Sequence, residues 1–266
     1  MEEKALRLSA VFLMILTAVS FVLLPKLPAL HTWEVEAREE RIAEEEFAQS
    51  QVTMQNLKIK EQNEAAGAKG ELSIRLPEGV TGDQIAVSND YVTQTIRVEI
   101  PQADRTYFDS YPVLGNSDYI DGLSYTRQGE MGVIEVTTNK VYELQTEYDA
   151  QNFYFNFLTP HEVYDKVVVI DAGHGGRAVG ANKQGINEKD IDLAIVLKLK
   201  EIFDNSDQNI GVYYTRTDDS NPTFDQRVQL ANKSDADLFI SIHNNSTRSG
   251  RMSGTSGTQV MYDETS

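Results

Sequence analysis

The sequence predicts an α/β fold in the C-terminal part of the chain, with a mostly parallel sheet flanked by helices. A small antiparallel β-sandwich-like domain and an N-terminal membrane helix are predicted to precede it. Three observations lead to this prediction: a long apolar segment near the start, strand-like runs between turn residues in the middle, and strands alternating with helices after Pro160. We therefore divide the chain into residues 1–30, 31–70, 71–162 and 163–266.

The first segment, residues 1–30, is predicted to be an uncleaved membrane anchor. Leu8 to Leu24 contains no charged residue, and a helix of that length spans roughly 25 Å, near the lower limit for a bilayer core. A cleaved secretory signal is the alternative, but no clear small-x-small site precedes Pro25 to Leu30. Lys4 and Arg7 precede the segment, so the rest of the chain is expected to face outward.

Residues 31–70 predict an acidic, solvated helical spacer. The sequence from Glu34 to about Lys69 is rich in Glu, Gln, Ala and Lys and contains no proline. Its apolar residues do not keep the heptad register that a coiled coil requires. Gly67 and Gly70 end the spacer.

Residues 71–162 have the texture of a small β-sandwich. Apolar residues alternate in Ile96–Ile100 and in Phe153–Phe157, and turn residues recur between such runs. The aromatic residues at every second position could form a ligand platform, but large aromatics more commonly fill the core of a small β domain. We therefore interpret the aromatic stripe as core.

The region after Pro160 alternates between strand and helix patterns. A continuous β-branched run is typical of a strand buried on both faces, and it ends in a glycine-rich segment. The predicted elements are the strand Lys166–Ile170, the helix Ile191–Phe203, the strand Ile210–Thr215, the helix Phe224–Asn232 and the strand Leu238–Ile242. This order predicts a mostly parallel sheet with helices on its faces.

Composition restricts the chemistry available to this fold. The formal net charge of −17 argues against a nucleic-acid partner, which would require clustered Lys and Arg. The chain has no cysteine, so thiolate metal sites and cysteine nucleophiles are excluded. Any metal must be held by histidine and carboxylate ligands.

Two histidines and a glutamate are predicted to meet at the carboxyl edge of the sheet. His174 follows the first strand, His243 follows the third, and Glu188 precedes the first helix; ligands of open parallel sheets bind at this edge. Two histidines and one carboxylate leave a fourth tetrahedral position open, as in catalytic zinc sites. From spacing alone, structural histidines that bind only through hydrogen bonds remain an equal alternative, because no compact zinc motif is present.

The combined motifs resemble a known family. Val169–Gly176, Gly180–Ala181, Asn187–Asp190, Thr215–Arg216, Arg227, Ala231–Asn232, Ala236–Asp237 and Ser241–Asn245 follow one another in the order and spacing of the zinc-dependent N-acetylmuramoyl-L-alanine amidases of the amidase_3 type. The resemblance covers about Lys166 to Tyr262 and implies zinc ligands at His174, Glu188 and His243. It also implies a peptidoglycan substrate, cut at the amide between N-acetylmuramic acid and L-alanine by zinc-activated water. The preceding β region is similar in position to AMIN-like wall-targeting domains.

Other polar residues within these motifs have roles that general principles predict. Asp171 and Asn245 are predicted to support the histidine ligands through hydrogen bonds. Arg216, Arg227 and Asp237 are predicted to fix loops through ion pairs rather than to contact substrate. The family's general base is a second glutamate, which we expect beyond Ser266, so that the chain carries only the N-terminal part of the catalytic domain. Ala178 stands where the family usually has Asp.

Three functional hypotheses follow. The first is an amidase held at the cell membrane and facing the cell wall, or secreted if the N-terminal segment is cleaved; a protein activator is compatible with it. The second is a non-catalytic regulator of cell-wall hydrolysis that binds zinc or the wall. The third is a structural anchor in which the α/β region is vestigial.

Overall fold

The computed structural model describes residues 37–44, 55–61, 69–244, 254 and 257–262. The predicted membrane segment, residues 1–30, lies outside this part of the chain. Residues 37–44 are helical and belong to a unit that spans Met1–Ser50, whereas Gln51–Ser266 form a second unit. Among the described residues, no helix has the length and apolar character needed to cross a bilayer.

The second unit contains fifteen strands and four α-helices in its described residues. The strands are β1 (Gln55–Asn56), β2 (Lys60–Glu61), β3 (Leu72–Arg75), β4 (Ala86–Asp90), β5 (Thr95–Pro101), β6 (Leu114–Gly115), β7 (Ile120–Gln128), β8 (Met131–Thr138), β9 (Glu143–Tyr148), β10 (Asn152–Leu158), β11 (Lys166–Ala172), β12 (Asn182–Lys183), β13 (Ile186–Asn187), β14 (Ile210–Tyr214) and β15 (Leu238–Ile242). The helices are α1 (Arg105–Ser110), α2 (Pro160–Val163), α3 (Glu188–Asp204) and α4 (Phe224–Lys233).

The middle of the chain folds into two five-stranded sheets, as the sequence predicts for a sandwich. One sheet has the order β1-β7-β8-β5-β4, and its pairs are antiparallel. The other has the order β2-β6-β3-β10-β9. In this second sheet β2 pairs with β6 in parallel, so the prediction of a purely antiparallel domain is wrong at this edge.

Alternating apolar side chains form the core between these sheets. Phe155 is fully buried, with Phe153 and Phe157 beside it on the same strand. Ile96 and Val98 face them from β5. The phenylalanine side chains of this strand therefore pack in the core, as predicted, and do not form an exposed surface for a ligand.

The prediction of a helical spacer up to residue 70 is wrong for residues 55–61. These residues contribute the short strands β1 and β2, and Leu57 and Ile59 pack against the sandwich core. The physical reason is that alternating apolar side chains at positions 57 and 59 gain more from burial against a sheet edge than from a solvated helix.

The C-terminal region forms a parallel three-stranded sheet in the order β14-β11-β15. The central strand β11 is buried on both faces, as its β-branched run predicts. Val167 and Val169 point to one face, where they meet Leu230 of α4. Ile170 points to the other face, which is covered by Val196 of α3.

The sandwich and the parallel sheet contact each other through both apolar packing and hydrogen bonds. Val141, just before β9, packs in the cluster that contains Tyr213 of β14, and its backbone N–H donates to the Lys233 carbonyl at 3.0 Å. The Glu143 carboxylate accepts from Tyr213 at 2.6 Å and from Tyr91 at 2.9 Å. One carboxylate therefore joins side chains from both regions.

Truncating the central aromatic residue tests the sandwich core. Phe155→Ala should lower the free energy of unfolding by about 3–5 kcal/mol, because it leaves a cavity where the side chain is fully buried. The matched control is Thr146→Ala, which lies opposite Phe155 on β9 and is exposed; it should change stability by less than about 0.5 kcal/mol. Denaturant unfolding measures both, and equal losses would contradict this assignment of the core.

Candidate metal centre

Three elements end or begin at the carboxyl edge of the parallel sheet, and each supplies one candidate ligand. His174 lies two residues after β11, and His243 directly follows β15. Glu188 is the first residue of α3, which begins earlier than the predicted Ile191. Because β11 and β15 are parallel neighbours, their ends bring the two histidines together across 69 positions of sequence.

The three side chains meet at short distances. His174 Nε2 lies 3.1 Å from His243 Nδ1 and 3.2 Å from Glu188 Oε1. His243 Nδ1 lies 3.3 Å from the same oxygen. The side chains of His174 and Glu188 are largely buried, with 11% and 9% of their surface exposed. The side chain of His243 is 45% exposed, so the cluster of three side chains is open to solvent on the His243 side. This group can hold a metal ion.

The Glu188 carboxylate is fixed by two backbone donors. Ala181 N–H donates to Oε2 and Asn244 N–H donates to Oε1, each at 2.8 Å. Burial opposes ionisation of this carboxyl, but hydrogen bonds from His174, His243 and Ala181 outweigh it and lower its pKa well below the usual range. The lowered pKa favours the carboxylate form, which a metal ligand requires.

Asp192 is a fourth member of the cluster that the sequence analysis missed. It lies one helical turn after Glu188, and the possible ligand atoms of all four residues lie within 4.8 Å of one another. Burial raises its pKa to about 6. The signal was present in the sequence as an acidic pair at i and i+4, a spacing that puts both carboxylates on one helix face.

Two glycines allow the candidate ligands to approach each other. A Cβ on Gly173 would lie 2.4 Å from the His243 ring, and one on Gly180 would lie 2.6 Å from the His174 ring. Gly180 also has a φ of +65°, which other residues rarely adopt. His174 itself has a φ of 59°, so the loop that carries this candidate ligand is conformationally strained.

Two buried arginines hold that strained loop. Arg216 donates to the carbonyls of Ala172 and Gly173 at 2.9 and 2.6 Å. Arg227 donates to the carbonyls of Ala172 and His174, both at 2.7 Å. The prediction that these arginines fix loops is confirmed: both donate to backbone carbonyls, and Arg227 also forms an ion pair, with Asp171.

Asp171, predicted to support a histidine ligand, has other hydrogen-bond partners in the structure. Its carboxylate pairs with Arg227 and accepts from the hydroxyls of Thr215 and Ser241, both at 2.6 Å. Burial opposes its ionisation, but the charge of Arg227 and these hydrogen bonds lower its pKa overall. Asp171 therefore acts on the arginine that holds the loop. Asn245, the other predicted supporting residue, lies outside the described residues.

Residues 168–266 match the Amidase_3 family, N-acetylmuramoyl-L-alanine amidase. The match begins inside β11 and includes all four residues of the cluster.

Three curated relatives illustrate the extent of the similarity. The endolysin of Bacillus phage SPP1 is 45% identical over 86 residues, which is 32% of this chain and 31% of the endolysin. The N-acetylmuramoyl-L-alanine amidase CwlM of Bacillus licheniformis is 41% identical over 78 residues, 29% of this chain and 31% of that protein. The sporulation-specific N-acetylmuramoyl-L-alanine amidase of Bacillus subtilis (strain 168) is 39% identical over 79 residues, 30% of this chain and 31% of that protein. The chain thus spans about a third of the length of these relatives.

Neutralising Asp171 tests the charge arrangement beneath the loop. Because the folded-state pKa of Asp171 is lowered, its stabilising contribution is present above the unfolded pKa of about 3.9 and is lost as pH falls through the lower folded value. Asp171→Asn should cost about 3–5 kcal/mol of unfolding free energy at pH 7 by leaving Arg227 buried without its counter-charge. The deficit relative to the unaltered chain should shrink below about pH 4.

Urea unfolding at pH 7 and pH 3 measures this difference. The control is Asp109→Asn, which removes an exposed pair with Arg105 and should cost less than about 1 kcal/mol. A deficit for Asp171→Asn that is the same at both pH values would contradict the assigned ion pair.

Proposed function

We propose that the C-terminal region is the zinc-binding part of a peptidoglycan hydrolase that cleaves the amide between N-acetylmuramic acid and L-alanine. The observation that carries the proposal is the convergence of His174, Glu188 and His243 within 3.3 Å inside the region that matches the amidase family. These residues are the ligand set that the sequence motifs predict.

The geometry of the three ligands favours zinc. Ligand atoms about 2.0–2.1 Å from a tetrahedral ion lie about 3.3 Å from one another, and the three distances here are 3.1, 3.2 and 3.3 Å. Two imidazoles and one carboxylate are also the donor types that a catalytic zinc site uses, with a fourth position left open.

The residues of the chain divide the remaining work. Ala181 and Asn244 hold the Glu188 carboxylate ionised and oriented. The partly exposed His243 lies at the open side of the cluster, so a substrate amide would approach over its ring. Bound zinc supplies Lewis acidity, which polarises an amide carbonyl and lowers the pKa of water. Hydrolysis also requires a group that accepts the proton of the attacking water, and we assign that role to none of the three ligands.

Two further assignments belong to this proposal. The β-sandwich is proposed as an AMIN-like wall-targeting domain, and residues 1–30 as the segment that places the protein at the membrane facing the wall. The support for the first is position in the chain and β-sandwich architecture; the support for the second is the uncharged stretch Leu8 to Leu24.

A non-catalytic regulator that binds zinc or the wall is the second candidate function. The observation that favours it is that His174, Glu188 and His243 can all serve as ligands, which leaves none of them to act as a base. Binding of metal and wall polymer would survive without hydrolysis.

Loss of a ligand should abolish zinc retention. His174→Ala and His243→Ala should each reduce zinc, about one ion per chain in the unaltered protein, to near zero after dialysis, because each removes one of three protein ligands. Elemental analysis of the purified full chain measures the stoichiometry. His161→Ala is the matched control, since this histidine binds the Asp235 carbonyl away from the cluster; unchanged zinc in either ligand variant would contradict the assigned set.

Hydrolysis is tested on the polymer itself. Release of stem peptides that carry a free L-alanine amino group, detected by mass spectrometry after the zinc-loaded protein is incubated with purified peptidoglycan, would support the amidase over the regulator. His243→Ala should release none above the blank, and His161→Ala should behave as the unaltered chain. Zinc retention and co-sedimentation with peptidoglycan without any free L-alanine would instead favour the regulator.

A further inference from the structure

Asp192 is the one member of the metal cluster to which the proposed function assigns no role. Its side chain lies on α3 one turn after Glu188 and is fully buried. A fully buried carboxylate requires partners, because burial of an unpaired charge is costly. One of its oxygens, Oδ1, accepts from the Asn244 side-chain amide at 2.6 Å. The other, Oδ2, is buried without a hydrogen-bond partner among the residues that the structure describes.

Asn244 links this carboxylate to the ligands. It directly follows His243, and its backbone N–H donates to Glu188 Oε1 at 2.8 Å. The Asn244 side chain and backbone therefore bind two carboxylates one helical turn apart on α3. The turn after β15 is therefore attached to α3 by two hydrogen bonds. His243 lies between the end of β15 and Asn244, which makes both of these bonds.

The His243 ring needs such fastening because it is the most exposed of the three ligands. Its side chain is 45% exposed, against 11% for His174 and 9% for Glu188. Packing alone thus restrains it least. The Gly173 backbone limits the ring on one side, where a Cβ would lie 2.4 Å away, and the Asn244 contacts limit the backbone on the other.

We propose that Asp192 is a positioning residue of the metal centre, which accepts the Asn244 side-chain hydrogen bond and thereby holds His243 in register with Glu188. This inference rests on the proposed zinc function. In this proposal the metal centre requires the Oδ1 atom of Asp192 as a hydrogen-bond acceptor. It requires neither the negative charge of Asp192 nor its second oxygen.

Conservative replacement separates this role from direct metal ligation. Asp192→Asn keeps an acceptor oxygen for Asn244 and should bind metal within about threefold of the unaltered chain. Asp192→Ala removes the acceptor and should weaken binding about 10–100-fold, as is typical when a supporting hydrogen bond to a metal ligand is lost. Asn244→Ala removes the same bond from the other side, keeps the backbone donor to Glu188, and should show a similar loss.

The measurement is titration of the full chain with Co²⁺, a visible-absorbing substitute for zinc, together with Zn²⁺ competition against a chromophoric chelator. Glu201→Ala is the matched control, because Glu201 is an exposed acid on the same helix, paired with Lys198. The double variant Asp192→Ala/Asn244→Ala should lose no more metal affinity than either single variant, because the two substitutions remove the same hydrogen bond. Circular dichroism checks that each variant is folded. If Asp192→Ala does not fold, the metal affinity of Asn244→Ala alone tests the proposal.

The outcomes are distinct. Recovery of affinity and of the Co²⁺ spectrum in Asp192→Asn, with loss in Asn244→Ala, would support the proposal. An equal loss in Asp192→Asn and Asp192→Ala would overturn it in favour of direct ligation, and an unchanged affinity in Asn244→Ala would overturn it outright. An unaltered chain that binds neither metal would overturn the proposed zinc function as well, which distinguishes that failure from failure of the positioning role alone.

Discussion

The buried pair between Asp171 and Arg227 is the interaction on which the candidate metal centre depends. It lies at the end of the central strand β11, where the backbone leaves the sheet and turns sharply into a loop with a positive φ at His174. Three consecutive carbonyls of that loop accept from Arg227 and Arg216. The conformational strain at His174 persists because these donors surround the loop, and the arginine charge is tolerated because Asp171 faces it.

Much of this arrangement could be predicted from the sequence, since it follows from periodicity. The β-branched run at residues 166–170 identifies a strand buried on both faces, and the three strands of the parallel sheet occur where the pattern predicts. Once the sheet is parallel, its topology requires His174 and His243 to share an edge. Glu188 was predicted at the same edge, in the loop before a helix starting at Ile191, whereas α3 begins at Glu188 itself.

The parts that escaped prediction depend on contacts between distant residues. The strands at residues 55–61 carry a weak local pattern and exist because a sheet edge is available to pair with them. Asp192 lies in a helix whose sequence pattern does not distinguish it from the solvated acidic residues of an ordinary amphipathic helix, so its burial could not be predicted. Asp171 was expected to serve a histidine, but the nearest strong donor in space is an arginine 56 positions later.

The spread of the candidate ligands along the chain has a thermodynamic consequence. His174, Glu188 and His243 come from a strand end, a helix start and a second strand end, so an ion held by all three acts as a cross-link that closes a loop of 69 positions. Such a link stabilises only the native chain, since the unfolded chain does not preserve the arrangement of the ligands. The melting temperature of this region would then rise with metal concentration, and a chelator would lower it to the value of the metal-free chain.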